Sequence, residues 1–104
     1  MARIELSFYD KTYTIEYNRE SIKDFLMLKK EGVEEIEQVI NLIKCGLKMH
    51  HADDMPSRDV ILAWVMAMGS DIKDFTTALR DLIQGAIEAL EVDRKNLKWG
   101  KVEA

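Results

Sequence analysis

I-E-L-S-F-Y-D-K-T-Y-T-I-E-Y, residues 4–17, is the only stretch of the chain that alternates apolar and polar side chains with period two. Ile4, Leu6 and Phe8 share one face, and Tyr13, Ile15 and Tyr17 share one face of the run that follows, the pattern of two half-buried strands. A two-residue turn at Asp10-Lys11 sets Phe8 opposite Tyr13, Leu6 opposite Ile15 and Ile4 opposite Tyr17, so each apolar side chain meets another. The same register sets Glu5 against Glu16, a like-charge pair that costs roughly a few tenths of a kcal/mol on a solvated face. Asp-Lys is a weaker turn signal than Asn-Gly or Asp-Gly, because Lys has no special tolerance for positive φ. A lone hairpin is marginal in water, so the remainder of the chain must cover its apolar face.

Helical periodicity supplies that cover. Asn18 is placed to cap a helix over about 19–31, in which Ile22, Phe25 and Leu26 share a face and Gly32 provides the stop. A second helix, about 33–50, repeats apolar residues at 33, 36, 39, 40, 43 and 47, with Glu34, Glu35 and Glu37 in its first turn and Lys44, Lys48 and His50 towards its end. That charge order suits the helix dipole. Pro56 breaks the pattern, and Ser57 caps a third helix over 57–68 that is apolar nearly all round and ends at Gly69. Ser70 caps a fourth, about 71–91, carrying a stripe of Ile72, Phe75, Leu79, Leu82, Ile83, Ala86 and Leu90. Residues 92–104 are charged and stripe-free, and are expected to form a flexible tail after a single α+β domain spanning 1–91. The expected fold class is therefore α+β, an N-terminal β-hairpin followed by about four α-helices.

Composition narrows the function classes. With 104 residues, 47% of them apolar and 33% charged, the chain is long enough for one core and unlike a disordered one. A net charge of −4 with its 15 basic residues scattered argues against nucleic acid as a partner. One cysteine excludes an internal disulfide, and the N-terminus reads as the start of a strand, so a reduced, non-secreted protein is expected. The longest apolar run, Val60–Met68, has nine residues where a bilayer span needs roughly 20.

The hairpin, its continuation N-R-E-S-I-K, the helix closed at Gly32 and the helix ending C-G-L-K-M-H-H together resemble the tail assembly chaperones of long-tailed (siphovirus-type) bacteriophages and prophages of Gram-positive hosts. Those proteins typically open on a hairpin of the form F-x-G-K-x-Y-x-L-E-Y-x-R-x-S, and Lys11, Tyr13, Glu16, Tyr17, Arg19 and Ser21 occupy the matching places. Asp10 departs from the pattern, standing where the family often has Gly. At motif level the resemblance covers about half the chain; the later helices match only in type and order. It implies a non-enzymatic protein of the bacterial cytoplasm that binds the tape-measure protein, keeps it soluble, helps recruit tail-tube subunits and leaves the finished virion. In many relatives a frameshifted longer form contacts the tail-tube protein. The alternatives are a small structural tail or connector subunit and a regulatory module that binds a host protein.

The residues themselves suggest no catalytic site and no cofactor. His50, His51, Asp53 and Asp54 have metal-ligand chemistry, yet adjacent helical histidines diverge by about 100° and no third ligand follows at a regular spacing, so a polar helix end is the expected reading. Cys45 lies within an apolar helix without an adjacent base and is expected to be a buried, inert thiol. Asp71, Asp74 and Asp81 suit a solvated face. The residues singled out for partner binding and self-association are Met49, Met55, Val60, Ile61, Trp64, Val65, Met66 and Met68, with Trp99 in the tail. Methionine adapts to varied helical partners, and a helix apolar on every side exceeds what one small core covers.

Overall fold

In a computed structural model, which describes residues 2–29, 31–89, 98 and 100–102, the chain forms an antiparallel hairpin followed by helices. The strands are β1, Ile4–Phe8, and β2, Lys11–Ile15. The helices are α1 (Arg19–Leu28), α2 (Glu35–His51), α3 (Arg58–Met68) and α4 (Ile72–Ala89), with a 3₁₀ turn at Gly69–Asp71 joining the last two. Trp99 and positions 90 and 91 lie outside the described residues, as does most of the expected tail.

The hairpin register differs from the expected one. Ile4 faces Ile15, Leu6 faces Tyr13 and Phe8 faces Lys11, and the turn is Tyr9-Asp10 rather than Asp10-Lys11. The pairing has slipped by two residues, which keeps every side chain on its face, so alternation alone could not choose between the two registers. Glu5 consequently faces Thr14, and the Glu5–Glu16 repulsion does not arise. Tyr9 takes the strain of the shifted turn at φ +54°, a left-handed conformation that costs a residue with a Cβ roughly 1–2 kcal/mol.

What selects this register is α2. Beyond Ile15 the chain leaves the sheet, and Glu16 donates its backbone N–H to the Gly46 carbonyl at 2.9 Å. Tyr17, fully buried, donates its hydroxyl to the Leu42 carbonyl at 2.7 Å. Both bonds require the hairpin backbone to lie almost on the helix, and the absence of a side chain at Gly46 permits it. A Cβ there would lie 2.5 Å from Ile15 Cγ2 and 2.9 Å from the Tyr17 ring. Tyr17 therefore serves as an anchor in the helix layer instead of a strand partner for Ile4.

Around this contact the core closes. Ile40, Ile43 and Leu47 of α2 pack with Ile15, Ile22, Ile61 and Leu79, one from each neighbouring element, and all are buried. Tyr13 and Phe8 meet the Trp64 ring of α3 at centroid distances of 4.9 and 5.8 Å. Burying one aliphatic side chain of this size contributes about 1.5–3 kcal/mol, so this shared cluster, more than helix propensity, holds the layers together.

The helix ends follow local chemistry where a side chain could act. Asn18 Oδ1 accepts from the Ser21 N–H at 2.9 Å, and Ser57 Oγ accepts from the Val60 N–H at 3.3 Å. Both are the N-caps expected from the sequence. Gly69, at φ +55°, ends α3. Three boundaries shift. The first helix stops at Leu28 instead of about 31, because the residues beyond it add nothing to an apolar face; Gly32, at φ +84°, shapes the connection to α2. The second runs from Glu35 to His51, with no side-chain cap at Glu34. Ser70 sits inside the 3₁₀ turn rather than capping the fourth.

Candidate partner-binding surface

The residues singled out in and around the third helix do not form one surface. Ile61, Trp64 and Val65 are buried in the chain's own core. Met55, Val60 and Met68 are half-buried against it. Only Met49 and Met66 are widely exposed, at 46% and 71%. The helix that looks apolar all round thus turns one side to Tyr13, Phe8 and the α2 cluster, and shows solvent mainly alanine and one methionine. Trp64 Nε1 is buried without a hydrogen-bond partner among the described residues, a cost accepted for ring packing.

Exposed apolar surface lies instead at the α1–α2 end of the molecule. Leu26, Met27 and Leu28 occupy the last turn of α1 and are 62%, 67% and 43% exposed, and Ile36 opens α2 at 38%. The signal was present in the sequence: successive helical residues diverge by about 100°, so three consecutive apolar side chains cannot all face one core.

Beside this patch runs a groove. One part, about 650 Å³, has Ile36, Val39, Val65 and Ile72 among its walls, with Lys73 and Arg80 along α4. A second part, about 290 Å³, lies among Phe25, Leu42 and Ile83, with Lys29 at its side. Glu35, Val39, Thr76 and Arg80 line both, so the two are continuous. The groove exists because α4 touches the core chiefly through Leu79 and Ala86, while Ile72, Phe75, Leu82 and Ile83 are only partly covered. Val65 is the single sequence-predicted site residue that contributes to it.

The histidine cluster proves to be a structural lock. His51, buried at the end of α2, accepts the Thr14 backbone N–H on Nε2 at 2.9 Å and donates Nδ1–H to Asp54 Oδ1 at 3.1 Å. Asp54 also takes Lys11 Nζ at 2.5 Å, so turn, strand and helix end are tied through one carboxylate. The Lys11 hydrogen bond, then that of His51, holds the Asp54 carboxyl below its usual range, and Asp54 in turn raises the Lys11 ammonium. Next door, His50 Nε2 donates to Glu16 Oε1 at 3.1 Å. With both ring nitrogens of His51 engaged and His50 turned to a different partner, the pair does not converge on a common point. Among the described residues no three His, Cys, Asp or Glu side chains come together as metal ligands.

Cys45 is fully buried, and burial pushes its thiol up, away from the reactive thiolate. Tyr17 is likewise pushed up by burial. Lys48 reaches Asp24 at 2.8 Å to pin α2 to α1, and Arg58 pairs with Glu37 to pin α3 to α2. Asp71, Asp74 and Asp81 are exposed. Among the described residues no helix is long and apolar enough to cross a membrane. No protein-family model, curated protein or solved structure matches the chain.

Proposed function

We propose that this chain is a tail assembly chaperone of a long-tailed bacteriophage or prophage, a non-enzymatic binder that holds apolar helical segments of the tape-measure protein. The observation that carries the reading is the exposed apolar surface of the α1–α2 end and the groove beside it. Binding clients there lowers the free concentration of chains that would otherwise aggregate, by mass action and without bond-making. The hairpin motif that resembles this family sits on the opposite duty: Tyr17 and Glu16 anchor to α2 and position the helices, so the family-like residues build the scaffold and the helices meet the client. In this reading the protein acts in the host cytoplasm, a frameshifted longer form recruits tail-tube protein, and neither remains in the virion.

Co-expression with the tape-measure protein tests it. The soluble fraction of that protein should rise several-fold in the presence of this chain, and no change overturns the proposal. One observation favours a second reading, a structural tail subunit. Thr14 and Glu16 give their outward N–H groups to α2, which closes the free edge of β2 and leaves the outer edge of β1 for strand addition. Mass spectrometry of purified virions separates the two, since only a structural subunit is retained.

A further inference from the structure

We propose that the groove between α1, α2 and α4 seats one amphipathic helix whose apolar stripe is flanked by acidic residues. The inference rests on the reading of the chain as a client-binding protein and assigns the chemistry of what it grips. Three observations carry it. First, the groove follows α4. Its α4 wall runs from Ile72 to Gln84 through Lys73, Thr76, Arg80 and Ile83, one face of a helix over about 18 Å at about 1.5 Å per residue. That is three turns, the length over which a docked helix presents apolar side chains at i, i+3 or i+4, i+7 and i+11. Second, its floor is apolar and spread over several elements: Phe25 from α1, Val39 and Leu42 from α2, Val65 from α3 and Ile83 from α4. Such a floor accepts a stripe of aliphatic side chains.

Third, the charge beside that floor is the reverse of the molecule's. The chain carries a net charge of −4, yet the groove is lined by Lys29, Lys73 and Arg80 against the single carboxylate of Glu35. None of the three cations forms an ion pair among the described residues, so their charge is free to meet a partner. All three are exposed. A partner with Glu or Asp beside its stripe meets complementary charge on the way in and in the seated complex, whereas a basic helix is repelled. The choice of an acidic partner also separates client from chaperone, because the rest of this acidic surface disfavours contact with such a helix anywhere else.

The test uses two labelled 18-residue synthetic helices with the same leucine stripe, one with Glu flanking the stripe and one with Lys, titrated by fluorescence anisotropy against the full chain. The Glu peptide should bind about tenfold more tightly than the Lys peptide at low salt, with the ratio shrinking as salt is raised. In the Lys73→Glu/Arg80→Glu double variant the preference should vanish or invert while the thermal melt stays within a few degrees of wild type, both positions being exposed. Equal binding of the two peptides, no binding of either, or a preference that survives in the double variant overturns the proposal. Co-expression separates this failure from that of the function. If the double variant solubilises the tape-measure protein as well as wild type does, the groove assignment falls and the chaperone reading stands. If the peptide preference holds and wild type leaves the tape-measure protein insoluble, the groove stands and the assigned client is wrong.

Discussion

Replacing Gly46 with alanine should strongly destabilise the protein, even though the same change at most helix-interior glycines stabilises. Helix propensity alone favours Ala over Gly by about 0.8–1 kcal/mol. At Gly46, however, the new methyl would sit 2.5 Å from Ile15 Cγ2 and 2.9 Å from both the Cζ and the hydroxyl oxygen of Tyr17. Neither neighbour is a flexible side-chain end, since Ile15 and Tyr17 are both buried and hold the hairpin to α2. Overpacking of this kind costs about 1–3 kcal/mol, and moving Tyr17 weakens its 2.7 Å bond to the Leu42 carbonyl, worth about 1 kcal/mol more. Set against the propensity gain, the net loss is roughly 2 kcal/mol, or a fall in Tm of about 10 °C for a domain of this size. Gly85 in α4 is the internal control: a Cβ built there meets nothing within 4 Å, so Gly85→Ala should gain about 1 kcal/mol. Urea and thermal unfolding followed by far-UV circular dichroism measure both. A Gly46→Ala protein that melts at or above wild type refutes the close-approach account of the hairpin register.

Three further outcomes follow from the hairpin and its lock. His51→Phe removes the acceptor of the Thr14 N–H and leaves a part-buried donor unpaired, so unfolding free energy should drop by about 1–3 kcal/mol, and a wild-type urea midpoint would contradict the role given to Nε2. Asp54 has its folded-state carboxyl held low by Lys11 and then His51, so its contribution is present above the ordinary carboxyl value and is lost as pH falls through the lower folded value. Asp54→Asn should therefore flatten the acid limb of the stability–pH curve, and an unchanged limb would count against the Lys11–Asp54–His51 tie. Tyr9→Gly relieves the left-handed strain at the turn and should stabilise by up to about 1 kcal/mol, less the edge contact with Phe8 at 4.6 Å, whereas a loss of stability would mean that the ring contact outweighs the strain.

Much of the fold is legible in the residues because the relevant forces are local. Asn18 and Ser57 cap helices because their side-chain oxygens reach a backbone N–H three residues on, a distance that depends on nothing else in the chain. Gly69 ends a helix because of what it can do to its own φ. The α1 boundary is less legible, since Gly32 is equally suited to stopping a helix and to turning the connection that follows. The candidate surface is less legible still. The composition of Val60–Met68 reports how much apolar area must be covered and is silent on which element covers it, and Phe8, Tyr13 and the α2 cluster took the side carrying Trp64. The His50-His51 pair shows the same limit, for its partners Glu16 and Thr14 are more than thirty positions away.

By itself, then, the sequence determined that the chain opens on a hairpin, which faces of its strands are apolar, and that amphipathic helices follow to cover them, because alternation and helical period are properties of neighbouring residues. The register, the turn at Tyr9-Asp10 and the departure of Tyr17 from the sheet were decided only in the tertiary structure. A two-residue slip leaves every face unchanged, so the hairpin has no internal means of choosing. The choice is made by α2, whose bare Gly46 admits Ile15 and Tyr17 and whose Gly46 and Leu42 carbonyls and His51 ring accept the donors that the slip brings to them.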